Sequence, residues 1–313
     1  MSVVNKKVLN VLPAPLTVGS MQFGIGALYV GTLWLLKLRP TPTLEPVGKK
    51  AVVTVGFWHC TGQLAAMISL GAGPVSFTHM VKALEPFFSA VVSALAFGKW
   101  MKPQVYVTLL PVVGGVGYAC LKERSFSWLA FSFAMVSNLA FALRAVLSKV
   151  AMTGTGIGTN LTSENIFGLV TWAAFFISIP MALVGEGSSF GGMWTESLKT
   201  QDKTELVKAI VVSGMFHYLN NEVMYLALGN VHPVTLAVGN TMKRVIIMVA
   251  SVMVFHNEIS VQAGIGSAVG ISGVLLYSLT KQKYEKIEQQ ELLASTKKKK
   301  TDVKNRARIA ERR

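Results

Sequence analysis

SFTHMVKALEPFF, residues 76–88, lies inside a run of apolar sequence long enough to cross a bilayer, yet it carries a histidine, a lysine, a glutamate and a proline. A charge near the centre of a membrane helix costs ~2.5–3.5 kcal/mol even on lenient insertion scales. Such a residue must face protein or water rather than lipid. What surrounds Lys82 and Glu85 therefore decides what kind of molecule this is.

The rest of the chain has the composition of a membrane protein. Its 313 residues are 51% hydrophobic and 14% charged, and the mean hydropathy is +0.48, whereas soluble domains carry about 25% charged residues. Apolar stretches recur near 16–36, 51–72, 76–98, 103–121, 127–150, 163–184, 205–228, 233–255 and 260–280. Each is close to the ~20 residues a bilayer core requires. The pattern predicts an all-α polytopic membrane protein with nine complete spans. Residues 1–15 read as the end of one more helix without its beginning, so the first helix is expected to be truncated. Residues 1–280 make a single transmembrane domain with halves of roughly 1–125 and 126–280, and 281–313 make a basic, solvent-exposed tail.

The net charge of +15 owes much to that tail, which holds twelve Lys or Arg against five acids. Beside so many apolar spans, a basic run is a topology signal or an anionic-lipid contact, not a nucleic-acid surface. Lys37, Arg39, Lys49, Lys50, Lys99 and Lys102 fall on the same side as the tail, which should face the cytosol-equivalent compartment. Cys60 and Cys120 lie in apolar spans and give neither a disulfide framework nor metal-ligand spacing. The loop TGTGIGTN (153–160) lacks the following Gly-Lys-Ser/Thr of a phosphate loop and reads as a linker, and that between 185 and 205 as a longer loop. Gly114-Gly115-x-Gly117 and Gly266-x-x-x-Gly270 should permit close helix contact.

The two halves echo one another. Trp58-His59 matches Phe216-His217, Leu70-Gly71 matches Leu228-Gly229, Phe97 matches Phe255 and Leu121 matches Leu279, all at an offset of 158. The matched unit spans an odd number of helices, so equivalent helices must cross in opposite directions. A 5+5 inverted-topology repeat follows, a plan common among secondary transporters.

Few ionisable residues fall well inside spans: Lys82 and Glu85, Arg144 and Lys149, Glu222, and Lys243-Arg244. Lys82 and Glu85 stand three apart on one helical face and suit a local ion pair. Lys243 and Arg244 have no acid within four residues, so their partner is Glu222 or Glu85 from another helix, or an anionic ligand. A planar arginine fork beside a movable lysine charge suits phosphate. Arg144 and Lys149 read as residues of a cavity mouth or the membrane interface. His59, His79 and His217 are also intramembrane, at spacings that suit packing better than a metal.

SFTHMVKALEPFF, together with GNTMKRV (239–245), LSKVAM (147–152) and NKK (5–7), resembles the plastid triose-phosphate/phosphate translocator family of the drug/metabolite transporter superfamily. The likeness runs over essentially the whole chain. It implies a ten-helix fold and the exchange of inorganic phosphate for triose phosphate, 3-phosphoglycerate, phosphoenolpyruvate or a sugar phosphate by alternating access. It also implies an integral protein of the plastid inner envelope. The family's phosphate-binding lysine falls on Lys82 and its Lys-Arg pair on Lys243 and Arg244. The family's other substrate-facing positions fall on Gln63, Ala66 and Asn220, where this chain departs from the pattern. His59 and His79 join them as candidate substrate residues, with Glu85, Asn240, Arg144 and Lys149 in support. Glu222 replaces a neutral family residue and lies about 200° round its helix from Asn220, so it should face another helix.

Three rivals bear comparison. A nucleotide-sugar or other organic-anion carrier of the same superfamily, in the ER or Golgi membrane, would suit the altered pocket positions. A non-transporting membrane receptor or assembly factor would suit a chain without its first helix. A membrane-embedded enzyme would need a nucleophile, metal cluster or acid/base pair, and none stands at convincing spacing. The sequence thus leads us to expect a non-enzyme without catalytic residues, cofactor or metal, whose partners are phosphate, a phosphorylated small molecule and the lipid bilayer.

Overall fold

The structure is a computed structural model that describes residues 1–98, 100–123, 126–153, 156–230, 233–255 and 260–310; within these, the side chains of 97, 122, 149–153, 228–230, 233–238, 292–293 and 296–310 lie outside the description. Lys149, named above, is among them.

The chain is almost wholly helical: α1 (Ser2–Val11), α2 (Pro15–Leu35), α3 (Pro46–Ala72), α4 (Val75–Lys82), α5 (Glu85–Phe97), α6 (Pro103–Val107), α7 (Leu110–Lys122), α8 (Trp128–Thr153), α9 (Ser163–Thr200), α10 (Lys203–Asn230), α11 (Pro233–Phe255) and α12 (Val261–Ala310). Proline opens α2, α3, α5, α6 and α7 within their first two residues. There its missing N–H costs nothing, because the first helical N–H groups have no internal partner. Two short strands, β1 (Thr43–Leu44) and β2 (Gly158–Thr159), pair antiparallel and tie the α2–α3 connection to the α8–α9 connection.

Among the described residues, six helical segments are long and apolar enough to cross a membrane: Pro15–Leu35, Pro46–Ala72, Pro103–Leu121, Trp128–Ser148, Ser163–Thr200 and Val261–Glu291. The other three stretches read as spans, 76–98, 205–228 and 233–255, are helical too, and each includes side chains outside the description. The 76–98 stretch is split into α4 and α5. Helix α10, which carries His217, Asn220, Asn221 and Glu222, and α11, which carries Lys243 and Arg244, each run as one continuous helix. The expected 185–205 loop is mostly helix, because α9 continues to Thr200. Its Phe190, Met193 and Trp194 pack against the cluster of Val8, Leu12 and Leu206.

The split in the 76–98 stretch has a local cause. Pro86 has no N–H to offer the carbonyl of Lys82 four residues earlier, and its ring crowds that oxygen. The helix stops at Lys82 and turns through Ala83 and Leu84 on tight bonds, Ala83 N to Met80 O at 3.0 Å and Leu84 N to Val81 O at 3.1 Å. It restarts at Glu85. Pro111, four residues after Val107, separates α6 from α7 in the same manner.

Packing follows small residues. A Cβ on Gly115 of α7 would lie 2.5 Å from the backbone nitrogen of Gly270 on α12, so these helices touch backbone to backbone, as the glycine spacing predicts. Gly114 and Gly117 face open space. Elsewhere α3 packs on α8 and α9, α10 on α2 and α1, and α4 on α11. The last of these contacts brings the break at 83–84 against the Lys243-Arg244 turn.

Candidate functional site

The carbonyl that Pro86 leaves free is filled from the other half of the chain. Arg244 donates Nη1 to Lys82 O at 2.8 Å and Nη2 to Glu85 Oε2 at 3.0 Å. One guanidinium thereby joins the end of α4 to the start of α5. This differs from the i,i+3 pair between Lys82 and Glu85 that helical spacing suggests. The turn at 83–84 destroys that spacing, and Glu85 pairs with Arg244.

Lys82 points elsewhere, toward α8. Its Nζ donates to Ser137 Oγ at 2.8 Å, and Ser137 in turn donates to Gly62 O at 2.8 Å. The ammonium lies 4.4 Å from the centroid of the Phe141 ring, and the Arg144 guanidinium lies 4.9 Å from the same centroid. Gly62 makes room for this ring, since a Cβ there would come within 2.9 Å of it. Asn138 Nδ2 donates to Val81 O at 2.9 Å and so braces the break from the α8 side.

Arg144, read from sequence as a mouth or interface residue, belongs to this cluster. It contacts Phe141, lies 5.9 Å from the Tyr225 centroid, and approaches His59 Nδ1 at 3.0 Å. An arginine N–H can only donate, so His59 Nδ1 accepts and its ring hydrogen sits on Nε2. His59 and His217 are fully buried and lie ring on ring at 5.8 Å, with Phe23 edge-on to both.

Lys243 is exposed, and it lies within electrostatic reach of Arg244, Glu85 and Arg144. Lys82 senses Glu85, Arg244, Arg144 and Lys243. Among the described residues, four side-chain cations thus gather around one carboxylate. His79, a turn before Lys82, bonds Ser2 Oγ through Nε2 at 2.8 Å and senses Lys82, Arg244 and Lys243.

The remaining named residues divide. Gln63 is buried, and its amide donates to Gln22 Oε1 at 3.0 Å. Gln22 donates onward to Ser213 Oγ at 2.6 Å and Asn5 Oδ1 at 3.2 Å, so Gln63 belongs to a polar knot between α1, α2, α3 and α10. Ala66 is buried, while Asn220 and Asn240 are half-buried. Glu222, expected to face another helix, instead meets the α2–α3 connection and its own helix. It pairs with Arg39 at 2.7 Å and accepts from Tyr218 OH at 3.2 Å. Sequence reasoning passed over Ser137, Asn138 and Phe141. The signal for Ser137 and Phe141 was the row Ser137, Phe141, Arg144, Ser148 along one face of α8 at i, i+4, i+7 and i+11.

A cationic cluster at a helix break, inside an apolar helical bundle, accords with what comparison finds. The family model described as the Triose-phosphate Transporter family matches residues 1–278. The chain belongs to the triose-phosphate transporter family. Phosphoenolpyruvate/phosphate translocator 2, chloroplastic, of Arabidopsis thaliana is 36% identical over 283 residues, 90% of this chain and 73% of that protein. The triose phosphate/phosphate translocator, chloroplastic, of Solanum tuberosum is 35% identical over 294 residues, 94% of this chain and 70% of the relative. A non-green plastid form from Brassica oleracea var. botrytis is 36% identical over 281 residues, covering 90% of this chain and 69% of its own. The clustered cations stand at the end of α4 (Lys82), on α8 (Arg144) and on α11 (Lys243 and Arg244).

Proposed function

We propose that this transporter exchanges inorganic phosphate for a phosphorylated metabolite across a plastid envelope membrane by alternating access. The observation that carries the reading is the cluster of Lys82, Arg144, Lys243 and Arg244 around a single carboxylate, Glu85. Relatives named for triose phosphate and for phosphoenolpyruvate support the substrate class. Lys82, Lys243 and Arg244 bind the phosphoryl group, and Arg144 receives the remainder of the ligand. The activity is carriage, not chemistry on the substrate.

The fold we assign is ten helical positions in a 5+5 inverted repeat. Under that assignment α1 corresponds to α8, α2 to α9, α3 to α10, α4–α5 to α11 and α6–α7 to α12. The packing supports it. Helix α3 meets α9 as α10 meets α2, and α3 meets α8 as α10 meets α1, while α2–α9, α4–α11 and α7–α12 are contacts between counterparts.

Exchange becomes compulsory through charge. Occluding cations without a partner costs several kcal/mol each. A bound dianion offsets most of that cost, so the loaded carrier can pass through the occluded state and the empty carrier cannot. In reconstituted liposomes, internal phosphate should be required for uptake of labelled phosphate, and Lys243→Ala or Arg244→Ala should abolish uptake in a folded protein. Equal uptake into unloaded vesicles would refute the exchange. Competition by triose phosphate, phosphoenolpyruvate and a nucleotide sugar then ranks the counter-substrates.

A further inference from the structure

The guanidinium of Arg244 is held at both ends of the helix break, and the acceptor at one end is the carbonyl that residue 86, having no N–H, does not take. We propose that Pro86 is a positioning residue for the anion site: it frees the Lys82 carbonyl so that this oxygen orients Arg244 toward the ligand.

The chain of cause runs through named atoms. In an unbroken helix the N–H of residue 86 would bond the carbonyl of residue 82. Pro86 removes that donor, the α4 helix ends at Lys82, and Arg244 Nη1 takes the carbonyl at 2.8 Å. Arg244 Nη2 meets Glu85 Oε2 at 3.0 Å on the far side of the turn. A guanidinium carries five N–H donors in one plane. Two are spent on the break, which leaves one hydrogen on each terminal nitrogen and the Nε–H in a fixed orientation. The same plane cannot be fixed by Glu85 alone, because a single pair leaves rotation about that contact. The break therefore serves as the mount for the cation that the opposite half of the chain supplies.

This inference rests on the phosphate-exchange reading, and the test separates the two. Pro86→Ala returns an N–H to compete for the Lys82 carbonyl. Loss of one charge-assisted bond that orients the fork should raise the apparent KM for phosphate about tenfold. The maximal rate should change little, and the thermal unfolding midpoint should hold. Arg244→Lys keeps the charge but cannot span both acceptors, and should raise KM as well. In the double variant the two effects should combine to less than their product, because both act on one contact.

An unchanged KM in Pro86→Ala, or effects that multiply in full, would overturn the proposal. If Pro86→Ala does not fold, Pro86→Gly, which returns the same N–H on a more pliant backbone, takes its place, and a wild-type KM there overturns it. If wild-type protein shows no phosphate exchange, the functional reading fails. The phosphate-induced shift in unfolding midpoint then reads the positioning separately: a smaller shift in Pro86→Ala supports it, and an equal shift overturns it.

Discussion

Lys82 and Arg144 share one aromatic ring, with the ammonium 4.4 Å and the guanidinium 4.9 Å from the centroid of Phe141. The negative face of a ring attracts a cation by ~0.5–2 kcal/mol. Phe141 thus offsets part of the cost of holding two cations together, and a bound anion would offset it more fully. Phe141→Leu keeps most of the apolar bulk and removes the face. The variant should unfold at a lower temperature without phosphate and should gain more from added phosphate than wild type does. Thermal unfolding in detergent with and without phosphate measures both, and equal gains would reduce the ring to packing.

The sequence exposed the parts of this molecule that are expensive in a membrane. Nearly continuous apolar stretches marked the helices, so α3 was legible as 51–72 and is observed as Pro46–Ala72. Lys82, Lys243 and Arg244 stood out because charges inside spans are costly and few. Neutral groups carry no such signal. Ser137, Asn138 and Gln22 look like ordinary span residues until their hydrogen bonds are seen. Helical spacing also misassigned Glu85, because it assumes an unbroken helix where Pro86 interrupts one.

The Arg39–Glu222 pair bonds at 2.7 Å, with the carboxylate side chain 8% exposed and the guanidinium 20%. Removing one member leaves the other poorly solvated. Glu222→Leu should therefore destabilise the protein by about 1–3 kcal/mol, less than a fully buried pair because Arg39 retains some water. Arg39→Met added to Glu222→Leu should recover most of that loss. Thermal unfolding of the two single variants and the double variant reads the coupling, and simple additivity would mean the pair contributes nothing.

Glu186 of α9 is buried and accepts from Leu16 N and Thr17 N, each at 2.8 Å. These are first-turn N–H groups of α2, whose own N-cap, Ala14, has no side-chain acceptor. A carboxylate there also meets the positive end of the helix dipole. Glu186→Ala leaves both donors unpaired and should cost about 1–3 kcal/mol, while Glu186→Gln, which keeps one neutral acceptor, should cost less. Hydrogen exchange at the start of α2 should accelerate in the alanine variant and leave α12 unchanged. Uniform acceleration over both helices would argue against a local cap.

Gln63 tests how far family resemblance carries a residue's role. By resemblance it reads the ligand, yet the residue is 4% exposed and its amide donates to Gln22 Oε1 at 3.0 Å. Gln22 is itself committed to Ser213 and Asn5. Gln63→Ala therefore removes a donor from a buried network and should cost about 1–3 kcal/mol of stability. The competition ranking among triose phosphate, phosphoenolpyruvate and phosphate should stay as in wild type, because the amide is committed to Gln22. A reordered ranking at unchanged stability would return Gln63 to the substrate wall.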